Sequence, residues 1–573
     1  MKVAVISLGC DKNTVDTEMM LGILDDAGHA LVYDEAEADA VVINTCAFIL
    51  DAKKESIDTI LECAALKEKR LKTGQGGPYY IIVTGCLGQR YRDEIIKDIP
   101  EVDAILGVQS FDEVARTLIE LDQVTGRKRD HGRPDTKAGG RMQDPAEHRD
   151  HIGRGTADTD REEAADRTDS SISESADHTA EGSAERITGK AADYTADEPA
   201  ERTTAESTDY TAGHTISESA DRIDLQNYPA ESDVSDTAEQ DTYGHNAVIH
   251  MAPLGEPPVS GRKRLLTTPV HYAYMKIAEG CNKACTYCSI PGFKGRYRSV
   301  PEETLIREAE DLADRGVREL ILVAQETTLY GIDLYGEKRL PRLISKLAAI
   351  EGIEHIRLMY CYPEEITDEL IDLMKSEPKL FHYIDMPIQH ASDPVLKRMG
   401  RRTDEASLRA LIGRLRAEIP DICIRTTLIS GFPGETRKDH ETLKNFIKDM
   451  RFDRLGVFAF SPEEGTPAAG MSGQVPGFIK KRRVGSLMKL QQKITFETNE
   501  SLAGSELDVM IQGYIPEDDI CVARSYRDAP DVDGCIFVET DREYLSGTEI
   551  KVKITGSKGY DLLAEPVEGE TAD

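Results

Sequence analysis

Residues 125–260 are drawn mostly from Ala, Thr, Ser, Asp and Glu with scattered Arg, and this segment constrains the fold more than any other feature. Between His131 and His250 stand 28 acidic and 11 basic residues, with no Cys and no Phe. A composition of that kind buries too little apolar surface to offset the entropy of ordering, so the segment is expected to be a disordered, acidic, low-complexity insertion. Short phrases recur within it, ISESAD at Ile172 and Ile216 and DYTA at Asp193 and Asp209. They lack the regular apolar position on which a solenoid stacks. Any packed core must therefore come from residues 1–124 and 261–573. Half of the formal net charge of −34 also falls in the insertion. The overall balance disfavours a polyanionic partner, and nucleic acid is not expected as substrate. The chain has no basic start followed by an apolar stretch, and no run long enough to cross a bilayer. A cytoplasmic protein without a membrane partner is expected.

The first 124 residues alternate strand with helix. Residues 3–8, 40–44 and 79–83 are short, nearly continuous apolar runs, as buried parallel strands require. Residues 13–27 place Val15, Met19, Met20 and Ile23 at helical spacing. An open α/β domain follows. Each of the three strands is followed closely by a cysteine: Cys10, Cys46 and Cys86. Ligand crevices of open parallel sheets lie beyond the carboxyl ends of the strands, so these dispersed thiols are delivered to one place.

Beyond residue 260 come six further strand candidates, at 272–278, 319–324, 355–360, 382–386, 423–429 and 454–460, separated by helical stretches such as 301–315 and 404–419. Six β/α repeats predict a partial (β/α)6 barrel rather than the full eight. A polar helix at about 479–499 leads out of it. The last residues alternate, with Leu507, Val509 and Ile511 on one face and then Ile550, Val552 and Ile554, as in a small β-barrel. Residues 500–573 hold 18 acidic and 6 basic side chains. The basic run Arg262, Lys263 and Arg264 is read as a solvated linker rather than a nucleic-acid patch.

Eleven cysteines in 573 residues are too few for a disulfide scaffold. Cys281, Cys285 and Cys288 form a CxxxCxxC array with no fourth Cys or His nearby. Three thiolates suit a 4Fe–4S cube with one iron left open. A zinc site completed by a distant residue is the alternative. The array follows the first strand of the expected barrel, at the end where parallel barrels keep their active sites. The remaining five, Cys63, Cys361, Cys423, Cys521 and Cys535, read as small buried hydrophobes.

The CxxxCxxC array, with aromatic Tyr287 before its last cysteine, resembles the radical S-adenosylmethionine (SAM) superfamily. The order of modules is closer still to the methylthiotransferases, which join a cluster-binding domain, a radical SAM core and a TRAM β-barrel. Residues 7–16 (SLGCDKNTVD), 43–48 (INTCAF), 52–56 (AKKES), 83–87 (VTGCL), 276–281 (KIAEGC), 324–327 (AQET), 330–335 (YGIDLY), 385–390 (DMPIQH), 431–436 (GFPGET) and 460–467 (FSPEEGTP) are similar to the branch that modifies an aspartate of small-subunit ribosomal protein uS12. Asp11 and Glu326 depart from that branch's usual Pro and Asp, and ordinary members lack the insertion. The resemblance implies domains at 1–124, 261–499 and 500–573, and two 4Fe–4S clusters. One is held by Cys281, Cys285 and Cys288, which cleave SAM to a 5′-deoxyadenosyl radical. The other, on Cys10, Cys46 and Cys86, holds the sulfur to be inserted, and a second SAM supplies the methyl group. It further implies a basic ribosomal protein as substrate and an electron donor such as flavodoxin or ferredoxin.

Some residues carry softer expectations. Gly431 and Gly434, in a turn with Phe432 and Pro433, either let the backbone approach SAM or simply make a strand-to-helix turn. Gln325 and Glu326 end the second barrel strand, where a polar side chain can hold the amino group of SAM; a plain loop is the other reading. Gln389 and His390 end the fourth strand and either face the cavity or sit in an ordinary loop. A methylthiotransferase acting on adenosine in transfer RNA is the alternative enzyme, and its terminal barrel should carry a basic face. A non-catalytic iron–sulfur carrier is the alternative outside enzymology.

Overall fold

The computed structural model describes residues 1–74, 76–129 and 247–567. Six strands form the first sheet: β1 (Lys2–Ser7), β2 (Ala30–Leu31), β3 (Ala40–Thr45), β4 (Tyr80–Thr84), β5 (Ala104–Leu106) and β6 (Val248–His250). Their order is β2-β1-β3-β4-β5-β6 and all pair in parallel. Every residue of β3 and β4 is buried, which is why their sequences are unbroken apolar runs. Helices α1 (Asp11–Asp26), α2 (Leu50–Thr73) and α3 (Gly85–Arg90) follow β1, β3 and β4.

Strand β6 corrects one sequence boundary, because it lies inside the 125–260 expected as insertion. Residues 247–249 (AVI) are apolar enough to add an edge strand, with Ala104 opposite Val248 and Ile105 opposite Ile249. The helix Val114–Arg129 likewise runs past residue 124. The rest of the expected insertion, 130–246, lies outside the described residues.

The second sheet comprises β7 (Tyr272–Lys276), β10 (Glu319–Val323), β11 (His355–Leu358), β12 (Leu380–Asp385), β13 (Cys423–Ser430) and β14 (Arg454–Ala459), with β8 (Ala278–Glu279) and β9 (Arg298–Ser299) forming a separate antiparallel pair. The six parallel strands pair in chain order from β7 to β14. This is the six-stranded partial barrel expected from the repeat count. On its outer face, Leu320 and Leu322 pack with Leu305, Leu312 and Leu343 of the surrounding helices. Its inner face is covered from elsewhere. Tyr272, Tyr274, Ile321 and Tyr383 belong to a cluster with Val15 and Met19 of α1 and with Ala529.

Ala529 belongs to the third sheet system, a closed five-stranded barrel of β15 (Glu506–Ile515), β16 (Ile520–Ser525), β17 (Ile536–Glu539), β18 (Glu549–Lys558) and β19 (Asp561–Pro566). The loop after β16 enters the partial barrel. The fully buried Arg357 donates to Glu319 at 2.8 Å and to the Tyr526 carbonyl at 2.7 Å. Asp528 pairs with Arg454 at 2.6 Å, and Tyr383 donates to Asp533 at 2.7 Å. Several acids of the terminal barrel thus face inward on arginines of the core. The net charge of that segment therefore overstates the negative charge it shows to solvent.

The linker reading is corrected as well. Arg264 is buried and donates to Glu18 of α1 at 2.6 Å and to Glu308 at 2.6 Å, joining the first domain to a barrel helix. Lys263 pairs with Asp25 and Asp26 at 2.8 Å, and Arg262 with Asp112 at 3.1 Å. Spacing along the sequence carries no sign of these distant acidic partners.

Candidate active site

Cys10 caps α1, Cys46 follows β3 and Cys86 lies in α3, so all three stand at the carboxyl ends of adjacent strands. Side-chain amides lash these loops together. Asn13 donates to the carbonyls of Leu8 at 2.8 Å and Thr45 at 3.1 Å, and Asn44 donates to the Asn13 carbonyl at 2.9 Å. Ser56 of α2 accepts from the Cys46 amide at 3.0 Å. Gly9, at φ +96°, has Cys46 directly against it: a Cβ there would lie 2.6 Å from that of Cys46. Burial raises the Cys46 thiol and pushes Cys86 up to about 12.

Cys281, Cys285 and Cys288 form a second triad in the segment after β7 and β8. Burial lifts Cys281 to about 11 and Cys288 to about 12. Donors surround the sulfurs: the Lys283 amide at 3.4 Å from Cys281, and Arg401 at 4.0 Å and the Tyr362 hydroxyl at 3.8 Å from Cys285. Tyr287 packs edge-on against Phe432 with 6.5 Å between ring centres.

Raised thiol pKa values mean protonated, weakly coordinating cysteines in the bare protein, and bound metal reverses that by deprotonating them. Tetrahedral zinc at about 2.3 Å from sulfur requires thiolates about 3.8 Å apart. Neither triad brings its three sulfurs within 4.8 Å of one another. One other trio, Glu354, His355 and Glu549, is close enough for a single ion, but the Arg318 guanidinium already pairs with both carboxylates.

The segments that carry the two triads pack on each other. Helix α3, carrying Cys86, packs on the short helix Ile290–Lys294 that follows Cys288. Arg90 at the end of α3 donates to Ser289 at 3.1 Å and to the Glu464 carbonyl at 2.6 Å. Lys53 of α2 pairs with Glu463, and Tyr360 donates to Asp11 at 3.0 Å while Lys12 lies 3.3 Å from the centre of its ring. The family-like runs 52–56 and 460–467 therefore meet as an interface. Asp11, a departure from the usual family residue, has a partner of its own.

The softer residues divide. Gln325 donates to Glu279 at 2.9 Å and leaves its buried Oε1 without a partner. Glu326 is fully buried and accepts from Thr328 at Oε1; its Oε2 makes no hydrogen bond and lies 3.7 Å from the Lys283 ammonium, and burial pushes its pKa up to about 7. These acceptors without hydrogen bonds lie beside the second triad and fit an ammonium group. Gly431, at φ +80°, and Gly434, at φ +81°, have local explanations: a Cβ would strike the Lys480 side chain at the first and come within 2.9 Å of the Arg398 guanidinium at the second. Glu435, bound by the amides of Gly431 and Phe432, fastens this turn to Arg483 at 2.9 Å. Gln389 adopts φ +69°, and His390 is buried, accepting from the Ser392 amide at 2.9 Å. Burial lowers the His390 pKa to about 3 and keeps it neutral. Arg401, Tyr362, Arg90 and Lys294 match no spacing rule in the sequence, because each reaches the site from outside the cysteine arrays, and Lys283 stands within the second array without a pattern that marks it.

Residues 2–107 match the uncharacterized protein family UPF0004, residues 275–447 the radical SAM superfamily and residues 503–567 the TRAM domain. With the paired triads, these modules define a radical SAM methylthiotransferase, an enzyme of 4Fe–4S clusters and S-adenosylmethionine. The chain is 44% identical to the ribosomal protein uS12 methylthiotransferase RimO of Lachnoclostridium phytofermentans, over 98% of this chain and 99% of that one. It is 37% identical to the RimO of Acetivibrio thermocellus over 99% and 98%, and 36% identical to that of Geobacter sulfurreducens over 98% of each. The chain belongs to the RimO family of ribosomal protein uS12 methylthiotransferases. Among solved structures it is similar to the radical SAM methyltransferase TsrM of Kitasatospora setae, with a TM-score of 0.45 and 12% identity over 88% of this chain and 78% of that one.

Proposed function

We propose that this protein methylthiolates the β-carbon of an aspartate of ribosomal protein uS12, with one centre on Cys281, Cys285 and Cys288 and the other on Cys10, Cys46 and Cys86. The observation that carries the reading is the packing of α3, which holds Cys86, on the helix Ile290–Lys294, which follows Cys288. When bound, the clusters and SAM supply hydrogen abstraction from an unactivated carbon, the sulfur and the methyl group, chemistry that side-chain acids and bases do not provide. The chain supplies position. Arg401, Tyr362 and the Lys283 amide stabilise negative charge on the sulfurs of the second triad. Gln325 and Glu326 offer acceptors that make no hydrogen bond, Oε1 and Oε2 respectively, for the SAM ammonium. Tyr287, with Gly431 and Gly434 in the turn against it, walls the same space. The covering of the barrel interior by α1 and by the loop after β16 keeps water from the reacting centre. The reading includes the cytoplasm as location, a basic ribosomal protein as substrate, and flavodoxin or ferredoxin as electron donor.

Alanine variants test the division of labour in anaerobically reconstituted protein. Cys10→Ala, Cys46→Ala or Cys86→Ala should abolish methylthio transfer to uS12 and retain 5′-deoxyadenosine formation from SAM. Cys281→Ala, Cys285→Ala or Cys288→Ala should abolish both. SAM cleavage that survives loss of the second triad would contradict the assignment.

A further inference from the structure

Lys294 is an anomaly in the site. It is the last residue of the helix Ile290–Lys294 in the radical core, a helix that packs on α3 with its Cys86, and its buried ammonium group feels the Cys86 and Cys10 thiols electrostatically. Its neighbour Phe293 packs in the same cluster as Cys86 and Ile105. A buried lysine is costly unless its charge and its hydrogens are both satisfied. The charge is satisfied, because Glu279 lies at 3.2 Å and Asp16 at 3.9 Å. The hydrogens are satisfied only in part: Glu279 at 3.2 Å can take one of the three, and Nζ makes no other hydrogen bond, whereas Lys276 donates to both of the same carboxylates. Lys276 thus suffices to hold Asp16 and Glu279 together, and Lys294 keeps donors to spare. Lys12, another cation that acts on the first triad, is engaged with the ring of Tyr360.

We propose that Lys294 binds the anionic sulfur ligand of the Cys10–Cys46–Cys86 centre, a hydrosulfide or methanethiolate, and so directs it toward the second triad. A charge-assisted N–H to sulfur contact in a dry site is a strong anchor for a soft monoanion. The position of the lysine, on the segment immediately after Cys288, links sulfur placement in one domain to folding of the cysteine loop in the other. The inference rests on the proposed cluster assignment, and its test separates the two.

The experiment uses the full chain carrying Cys281→Ala, Cys285→Ala and Cys288→Ala, so that only the first centre assembles. Methanethiolate is titrated in and followed through the electron paramagnetic resonance spectrum of the reduced cluster. Lys294→Met and Lys294→Gln should assemble the same iron and sulfide per chain as the parent and weaken methanethiolate binding by about tenfold or more, with Lys294→Arg recovering most of the loss. Equal affinity in the parent and both neutral variants would overturn the proposal. So would failure of both neutral variants to assemble a cluster that Lys294→Arg assembles, since the lysine is then a building residue of the centre. A parent that binds no iron at the first triad would instead refute the cluster assignment.

Discussion

Glu326 is the residue whose chemistry departs furthest from its sequence appearance. It reads as a polar loop residue, yet it is fully buried with one oxygen that makes no hydrogen bond. Burial dominates over the nearby Lys283 and raises its pKa from 4.5 to about 7. The sign of the consequence follows from linkage. The folded protein holds this proton more tightly than the unfolded chain, so the contribution to stability is complete below pH 4.5 and is lost as pH rises through about 7. The shift corresponds to roughly 3 kcal/mol. Glu326→Gln, which does not titrate, should gain about that much relative to the parent between pH 4.5 and pH 8 in denaturant unfolding of metal-free protein. Parallel pH profiles would contradict the burial argument. The cysteines were legible because they follow strands and form a compact array. Glu326 was legible only as a position, since its electrostatics depend on Lys283, Glu364 and Glu365.

At the level of elements, the longer strands rich in apolar residues were legible: β1, β3, β4 and the six of the partial barrel lie within a few residues of where their sequences place them. The strands of the first sheet that escaped were the short ones, the interior triplet Ala104–Leu106 and two edge pieces. The pair Ala30–Leu31 and the triplet Val248–His250 carry no periodicity, and only the neighbouring strand makes them β. Long-range fastening escaped as well, and Arg264 is the clearest case. Three consecutive basic residues look like a solvated linker, because Glu18 and Glu308 are far away in sequence. Removing one partner of a buried ion network leaves the others uncompensated, at a cost of about 3–5 kcal/mol. Arg264→Met should lower stability by that order in urea unfolding of the metal-free chain, whereas Arg262→Met, at an exposed pair, should stay within about 0.5 kcal/mol of the parent. Similar small losses in the two variants would place the junction between the domains elsewhere.

At the scale of the molecule, one domain contributes a thiol triad and a helix that packs into the partial barrel, the second contributes the other triad, and the third closes the barrel interior with the loop after β16. Sequence order alone indicated three modules but not this mutual covering, which depends on tyrosines that point inward from β7 and β12. The substrate argument is also sharpened. Acid excess in residues 500–573 favours a basic protein over RNA, but Asp528 and Asp533 are turned inward on arginines, so motif identity and kinship carry more weight than charge. The central claim is a methylthiolated aspartate on uS12. The most direct measurement is mass spectrometry of small-subunit proteins and transfer RNA nucleosides from cells lacking this gene, beside cells in which it is restored. Loss of a CH2S increment from the uS12 aspartate peptide on deletion, and its return on restoration with unchanged transfer RNA, is the result expected. An unchanged uS12 peptide, with a methylthioadenosine missing from transfer RNA, would contradict it.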